Sequence, residues 1–256
     1  MLDRLSGGRV ILGVGRGFRP ALFAAFAVRA AEKRERFEAN LEAIRRAWRG
    51  EPLAGSEPGA GGAEGPALLA PRPLQRPHPP LWVAAFGPRA VEQAGRLGLP
   101  YLASPFEPLA ALARNYERHR EAARAAGHAP PAVVPVIRSV FASRKAARLR
   151  AAREALRRVA AGLARSGAPA LRRAAAAPVD DWALVGEPEA LAEALARYRE
   201  RLGLTHLIAR PSVPGTEPAA LEESLELVAG LADPYRITTA PGSPSKSASA
   251  DTRVAP

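Results

Sequence analysis

The stretch LSGGRVILGVGRGF, Leu5 to Phe18, reads as a short apolar strand ending in a glycine-rich turn with an arginine inside it. Gly13, Gly15 and Gly17 let the backbone turn tightly and approach a ligand closely, and Arg16 between them carries forked donors that suit a phosphate. The dinucleotide fingerprint GxGxxG is the obvious competitor. Here the spacing is GxGxG, Phe18 stands where the last glycine belongs, and the strong helical pattern starts only near Ala30. A turn that merely requires glycine is the third reading.

Working outward, the rest of the chain alternates. Phe37, Leu41, Ile44 and Trp48 form one stripe of an amphipathic helix that stops at Gly50 and Pro52. Residues 53–80 are too rich in Gly and Pro for regular structure and read as a long, flexible surface loop. LWVAAF (Leu81 to Phe86) is a strand buried on both faces, followed by a helix opening on Gly87 and Pro88. LPYLASPF and AVVPVIRSVFAS give two more strands, the latter interrupted by Pro135, each with a helix after it. The stretch APALRRAAAAPVDDWALVGEP is poorly patterned and leads to a helix over Glu189 to Gly203, then a fifth strand THLIARPSV and a last helix. Strand and helix therefore alternate five times. That order means parallel strands with helical crossovers, in an open doubly wound sheet or in part of a (β/α)8 barrel. One domain over 1–236 and a disordered tail over 237–256 are expected.

Composition narrows the function classes. The 256 residues contain no cysteine and only four histidines, His78, His119, His128 and His206, without ligand spacing, so no metal site is expected. No apolar run reaches membrane-spanning length and no secretory signal opens the chain, so a cytoplasmic protein without membrane contact is expected. The net charge of +12 raises nucleic acid as a partner. Against that reading, lysine appears only at Lys33, Lys145 and Lys246, so arginine stands in for lysine throughout. The densest basic stretch, Ser143 to Gly167, carries Ala152, Leu156, Val159 and Leu163 at helical spacing and no aromatic interleaving, which suits a solvated helix face better than a nucleic-acid surface.

In parallel α/β folds ligands bind at the carboxyl ends of strands. The first such end offers Arg16; the second, VAAFGPRA, offers free amides in the first turn of a helix and Arg89 beside them. Together they make a phosphate cradle.

At this point a family resemblance becomes visible. LDRLSGGRVILGVGRGF, FAAFAV, RERFEANLEAIRRAWRGEP, PRPLQRPHPPLWVAA and RAVEQAGRLGLPYLAS, with VGEPEALAEALARYRERLGLTHLIAR and ALEESLELVAGL further on, resemble in order the bacterial luciferase-like flavin-dependent monooxygenases. The resemblance implies a (β/α)8 TIM barrel, reduced FMN or a deazaflavin at the strand ends, and O2-dependent oxygenation of a small-molecule substrate. It also implies a flavin reductase as supplier and leaves self-association open. Carried over by position, Arg16 and Arg34 fall where relatives hold the flavin phosphate, Gly15 and Gly17 allow close approach, and Ala85, Phe86 and Gly87 lie beside ring and phosphate. No catalytic acid or base is assigned, since His78 and His206 have nothing to recommend them.

Three departures accompany the match. Gly87 stands where a hydroxyl residue is common, Gly15 where luciferases have a reactive cysteine, and Ala27 where a glycine follows phenylalanine. The opening motif corresponds to the fourth barrel strand of relatives, in which three strands, the active-site histidine and an unusual cis peptide come earlier. About five strands, barrel strands 4 to 8, are therefore expected from a closure that takes about eight. A reading frame beginning upstream of Met1 is the leading expectation; a non-catalytic flavin-binding or assembly subunit is the alternative.

Overall fold

The computed structural model describes residues 1–17, 20–52, 68–165, 172 and 176–231. Phe18, residues 53–67 of the expected loop and the expected tail lie outside them. The chain begins with α1 (Leu2–Leu5), β1 (Leu12–Gly15), α2 (Pro20–Ala25), a 3-10 turn (Ala30–Glu32) and α3 (Lys33–Arg49). There follow β2 (Leu81–Ala84), α4 (Pro88–Arg96), β3 (Tyr101–Leu102), α5 (Leu109–Ala125), β4 (Pro135–Ala142) and α6 (Ala146–Ala164). The last elements are α7 (Val179–Trp182), β5 (Ala183–Gly186), α8 (Pro188–Leu202), β6 (His206–Arg210) and α9 (Pro218–Gly230).

Every strand pair is parallel, in two three-stranded sheets ordered β1-β2-β3 and β5-β4-β6. One bridge, Ala103 to Val136, joins them. Val136 also pairs with Leu207 of β6, and Ser139 pairs with both Ala183 of β5 and Arg210 of β6. A residue has two edges, so Ala103 and β5 must share the edge of β4 that faces away from β6. The continuous order is thus β1-β2-β3-β4-β6, with β5 laid on β4 beyond the point where the two-residue β3 stops. The five strands expected from the alternation form this arc. β5 is an addition, lying in the stretch that lacked a readable pattern.

The arc curves. If flat, β2 and β6 would stand about 14 Å apart, yet the rings of Trp82 and His206 are 5.3 Å apart between centroids. The fold is therefore an incomplete (β/α)8 barrel, with the helices on the outer face. Leu81, Val83 and Ala85 of β2 and its exit, Val91 and Ala94 of α4, and Leu112 and Tyr116 of α5 belong to the main core there. A smaller core joins α6 to β5 and α7 through Leu156, Val185 and Trp182. Within α6, Ala152 and Leu156 are buried and Val159 and Leu163 half-buried, while Arg148, Arg153, Arg157 and Arg158 form ion pairs with Glu223, Asp180 and Glu154. This is the solvated face expected from the sequence.

Local chemistry explains the element ends. Gly50 closes α3 in the left-handed conformation, its amide donating to the Ala47 carbonyl and the next amide, Glu51, to the Arg46 carbonyl. Pro135 starts β4 instead of interrupting it, because the first residue of a strand can lack an N–H. Residues 68–80 have no helix or strand, but they are fastened: the buried Asp3 carboxylate accepts the Leu74 and Gln75 amides at 2.6 and 2.9 Å and the Gln75 side-chain amide at 2.7 Å. That side chain also reaches the Val10 carbonyl at 2.8 Å, fixing the entry to β1.

Candidate functional site

The carboxyl ends of β1, β2 and β3 lie side by side, because the register pairs Gly15 with Ala84 and Ala84 with Leu102. The residues just beyond them therefore meet, and two adjoining cavities open there.

The first, about 760 Å³, is lined by Arg16, Lys33, Arg34 and Arg89 together with Glu35, Glu38, Phe86 and Gly87. Four cations against two carboxylates leave an electropositive basin. Arg16 is half-buried and, among the described residues, has no hydrogen-bond or ion-pair partner. Burial pushes its pKa below the ordinary arginine value; Arg34 adds repulsion, Glu38 opposes it, and Arg96 contributes further repulsion. Arginine stays protonated under such pressure, so the basin holds an uncompensated charge that an anion would neutralise. Glu38 is partly occupied elsewhere, accepting a bond from Gln93 of α4, and this contact holds α3 against α4 across the basin.

The start of α4 supplies the amides. Pro88 occupies its first turn and Gly87 caps it at φ 84° and ψ 161°, a backbone region essentially reserved for glycine. A side chain at 87 would be strained there, which gives the departure from a hydroxyl residue its physical reason. The Ala90 and Val91 amides turn back to the Gly87 carbonyl, whereas the Arg89 amide has no backbone acceptor among the described residues. Arg89 N–H thus belongs to the orphan donors of a helix N-terminus.

The second cavity, about 440 Å³, lies over the strand ends: Gly15, Arg16 and Gly17 on one side, Ala85 and Phe86 beneath, and Leu102 to Pro105 with Ile137 opposite. It is mostly apolar, and its polar side chains are Arg16, Lys33 and Ser104. A Cβ on Gly15 would come 3.4 Å from the Ala84 carbonyl, and Gly17 has φ +71°. The positive φ favours glycine at 17, whereas a Cβ at 15 would meet only ordinary contact distances.

All seven sequence-derived site residues border these cavities. Arg16, Arg34, Phe86 and Gly87 meet in the first; Gly15, Arg16, Gly17, Ala85 and Phe86 meet in the second. Lys33, Ser104, Pro105 and Ile137 were not anticipated. Inspection of the third strand end, ASPF, would have found Ser104; Lys33 gives no sequence signal among so many basic neighbours. The histidines are elsewhere. His78 precedes β2 and stacks near Trp48, His206 begins β6, and the rings of His119 and His128 face the Leu99 and Arg96 carbonyls. No group of metal-ligating side chains occurs among the described residues, and no described helix is long and apolar enough to cross a membrane.

Residues 1–206 match the family described as luciferase-like monooxygenase. An uncharacterized protein, y4wF, of Sinorhizobium fredii is 37% identical over 98 residues, which are 38% of this chain and 28% of that protein. The chain thus aligns with little more than a quarter of that relative's length. The monooxygenase RslO1 from Streptomyces bottropensis superposes with a TM-score of 0.66 at 26% identity, over 91% of this chain and 71% of its own. The oxygenating constituent of 3,6-diketocamphane monooxygenase from Pseudomonas putida, solved with FMN, gives a TM-score of 0.69 at 23% identity, over 89% and 71%, a likeness of fold.

Proposed function

The chain belongs to the luciferase-like monooxygenase family, and on that premise we propose that its two cavities bind one reduced flavin, with FMN as the leading candidate. The phosphate would lie in the basin of Arg16, Arg34 and Arg89 with the Arg89 amide of α4, the ring system in the apolar cavity between Gly15 to Gly17 and Leu102 to Pro105. The observation that carries this reading is Arg16, a half-buried cation without a hydrogen-bond or ion-pair partner among the described residues, bordering both cavities. A phosphate there gains bidentate hydrogen bonds and the free Arg89 amide at the helix terminus at once.

The bound flavin would supply the redox chemistry toward O2 and a small organic substrate. This chain's own residues do the holding. Arg16 and Arg34 fix the anionic end, Gly17 and Gly87 bring backbone close, and Phe86 with Leu102 and Ile137 excludes water from one side of the ring cavity. A deazaflavin shares the phosphate and tricyclic ring and would use the same residues.

Titration of the 256-residue protein with FMN, followed by flavin fluorescence, tests the reading. Saturable binding that Arg16→Ala weakens more than tenfold supports it; an unchanged dissociation constant rejects it. A second reading, a non-catalytic flavin carrier, draws on the position of all four histidines away from the cavities. It predicts binding without substrate turnover under reduced FMN and O2. A flavin reductase as supplier, self-association and a cytoplasmic setting complete the proposal.

A further inference from the structure

Arg138 lies on β4 outside both cavities, with no exposed surface. Its Nε donates to the Tyr198 hydroxyl of α8 at 2.8 Å, Nη1 to the Ile137 and Ser104 carbonyls at 3.0 and 3.3 Å, and Nη2 to the Glu107 carbonyl at 2.7 Å. The guanidinium also lies 5.2 Å from the centre of the Tyr198 ring.

Glu107, equally buried, completes the arrangement. Its Oε2 accepts the Tyr101 hydroxyl at 2.9 Å and the Ser104 amide at 3.0 Å, and its Oε1 accepts Asn115 Nδ2 at 2.7 Å. Both backbone polar groups of Ser104 are therefore held by side chains from other positions: the N–H by Glu107, the C=O by Arg138. The next residue but one is fixed as well, since the Phe106 ring sits 5.3 Å from Trp182 and 6.0 Å from the Arg210 guanidinium. Ser104 and Pro105 are the wall of the second cavity that faces Gly15 to Gly17. The Ser104 Oγ accepts a long bond from the Phe106 amide, 3.5 Å, and its own proton has no acceptor among the described residues.

We propose that Arg138 and Glu107 are positioning residues that lock the Ser104–Pro105 wall, so that the Ser104 hydroxyl is presented as a donor to the polar edge of a heteroaromatic ring in the second cavity. The assignment of a ring to that cavity rests on the flavin reading; the lock does not. A fully buried guanidinium is a demanding way to hold a loop, because it must be desolvated before its bonds are gained. It suits a loop whose exact placement matters, as for a donor aimed at a ligand.

The experiment uses the 256-residue protein and four variants, Arg138→Lys, Glu107→Gln, Ser104→Ala and Arg16→Ala. Riboflavin probes the ring cavity without a phosphate, inorganic phosphate in competition with FMN probes the basin, and hydrogen exchange of residues 103–108 reports the lock. Arg138→Lys keeps the charge and loses the fork. It should accelerate exchange of the Ser104 amide at least tenfold and weaken riboflavin at least fivefold, while phosphate affinity stays within twofold. Ser104→Ala should weaken riboflavin without changing exchange, and Arg16→Ala should lose phosphate affinity instead. If Arg138→Lys does not fold, Glu107→Gln carries the same comparison. Unchanged Ser104 exchange overturns the lock, and a parallel loss of riboflavin and phosphate reduces it to ordinary fold stability. A wild-type protein that binds no flavin defeats the reading of the preceding section, and the exchange data still decide the lock.

Discussion

Arg138 is fully buried and every arm of its guanidinium ends on an oxygen, whereas Arg16, half-buried just beyond β1, hydrogen-bonds none among the described residues. The two carry the same group and differ in what surrounds it. Around Arg138 the fold supplies three carbonyls and a phenol from β4, the β3–α5 loop and α8, so the charge is part of the architecture. Around Arg16 it supplies Arg34, Lys33 and Arg89 against Glu35 and Glu38, so a net positive charge is left for something that is not part of the chain. A third population shows what arginine does by default: Arg46 and Arg49 with Glu51, or Arg157 with Glu154, form exposed ion pairs that solvent screens. In a chain so rich in arginine, the environment of each one, and not its presence, separates fold from function.

The comparison breaks most easily at Arg138. Replacing it with Met leaves the Glu107 carbonyl and the Tyr198 hydroxyl without the donor from Arg138 and the Ser104 carbonyl with only the long bond from the Glu107 amide, and should cost about 3 kcal/mol in urea unfolding. A loss below about 1 kcal/mol would mean that the buried guanidinium is not architectural. Arg16→Ala should do the reverse. Its tenfold loss of FMN affinity corresponds to about 1.4 kcal/mol of binding, with the unfolding midpoint of the ligand-free protein unchanged or slightly raised, because a partly desolvated like charge is removed. A fall in stability matching that of Arg138→Met would erase the distinction.

His119 sharpens the same contrast, since it can shed the proton that arginine keeps. It is buried, with one ring nitrogen 2.8 Å from the Leu99 carbonyl. Burial pushes its pKa below the ordinary histidine value, the Leu99 contact opposes this, and Arg120 reinforces it. The unfolded chain takes a proton near pH 6.5 that the fold resists, so this contribution to stability is complete above that pH and declines as pH falls below it. The slope is at most about 1.4 kcal/mol per pH unit. His119→Gln should flatten the stability profile between about pH 6.5 and 5; an identical profile would show that the ring is charged in the fold.

The smallest effect concerns the segment that leads from Arg16 to Lys33. Ala27 has φ +50°, left-handed for a residue with a Cβ. Ala27→Gly should relieve this strain and stabilise by about 0.5–1 kcal/mol, read as an increased urea midpoint. Destabilisation would indicate that the alanine methyl contributes packing that its exposure does not suggest.

The sequence made the β–α alternation and the first two strand ends legible, because glycine and proline punctuate them and because Arg16 and Gly87 fall directly after apolar runs. Ala27 was legible as a departure, and its positive φ gives the reason why a glycine suits that position. β5 was not legible: its four residues, Ala183 to Gly186, follow a proline and two aspartates with too few positions to set a period. Arg138 was invisible for a different reason. Burial of one arginine among many leaves no mark on composition or spacing, and three of the four bonds that hold it come from residues 31 to 60 positions away. Lys33 likewise becomes a site residue only when the start of α3 is brought beside the end of β1.

The way β4 is paired has a consequence for how the molecule comes apart. One edge of β4 belongs to β6 and the other is divided between Ala103 and β5, so both sheets meet on a single strand. Neither half of the arc can detach without stripping β4, and Arg138 on that strand ties the β3–α5 loop and α8 to the same event. Melting should therefore be cooperative across both cores, one transition seen alike by probes in the main core and at Trp182, instead of two independent steps.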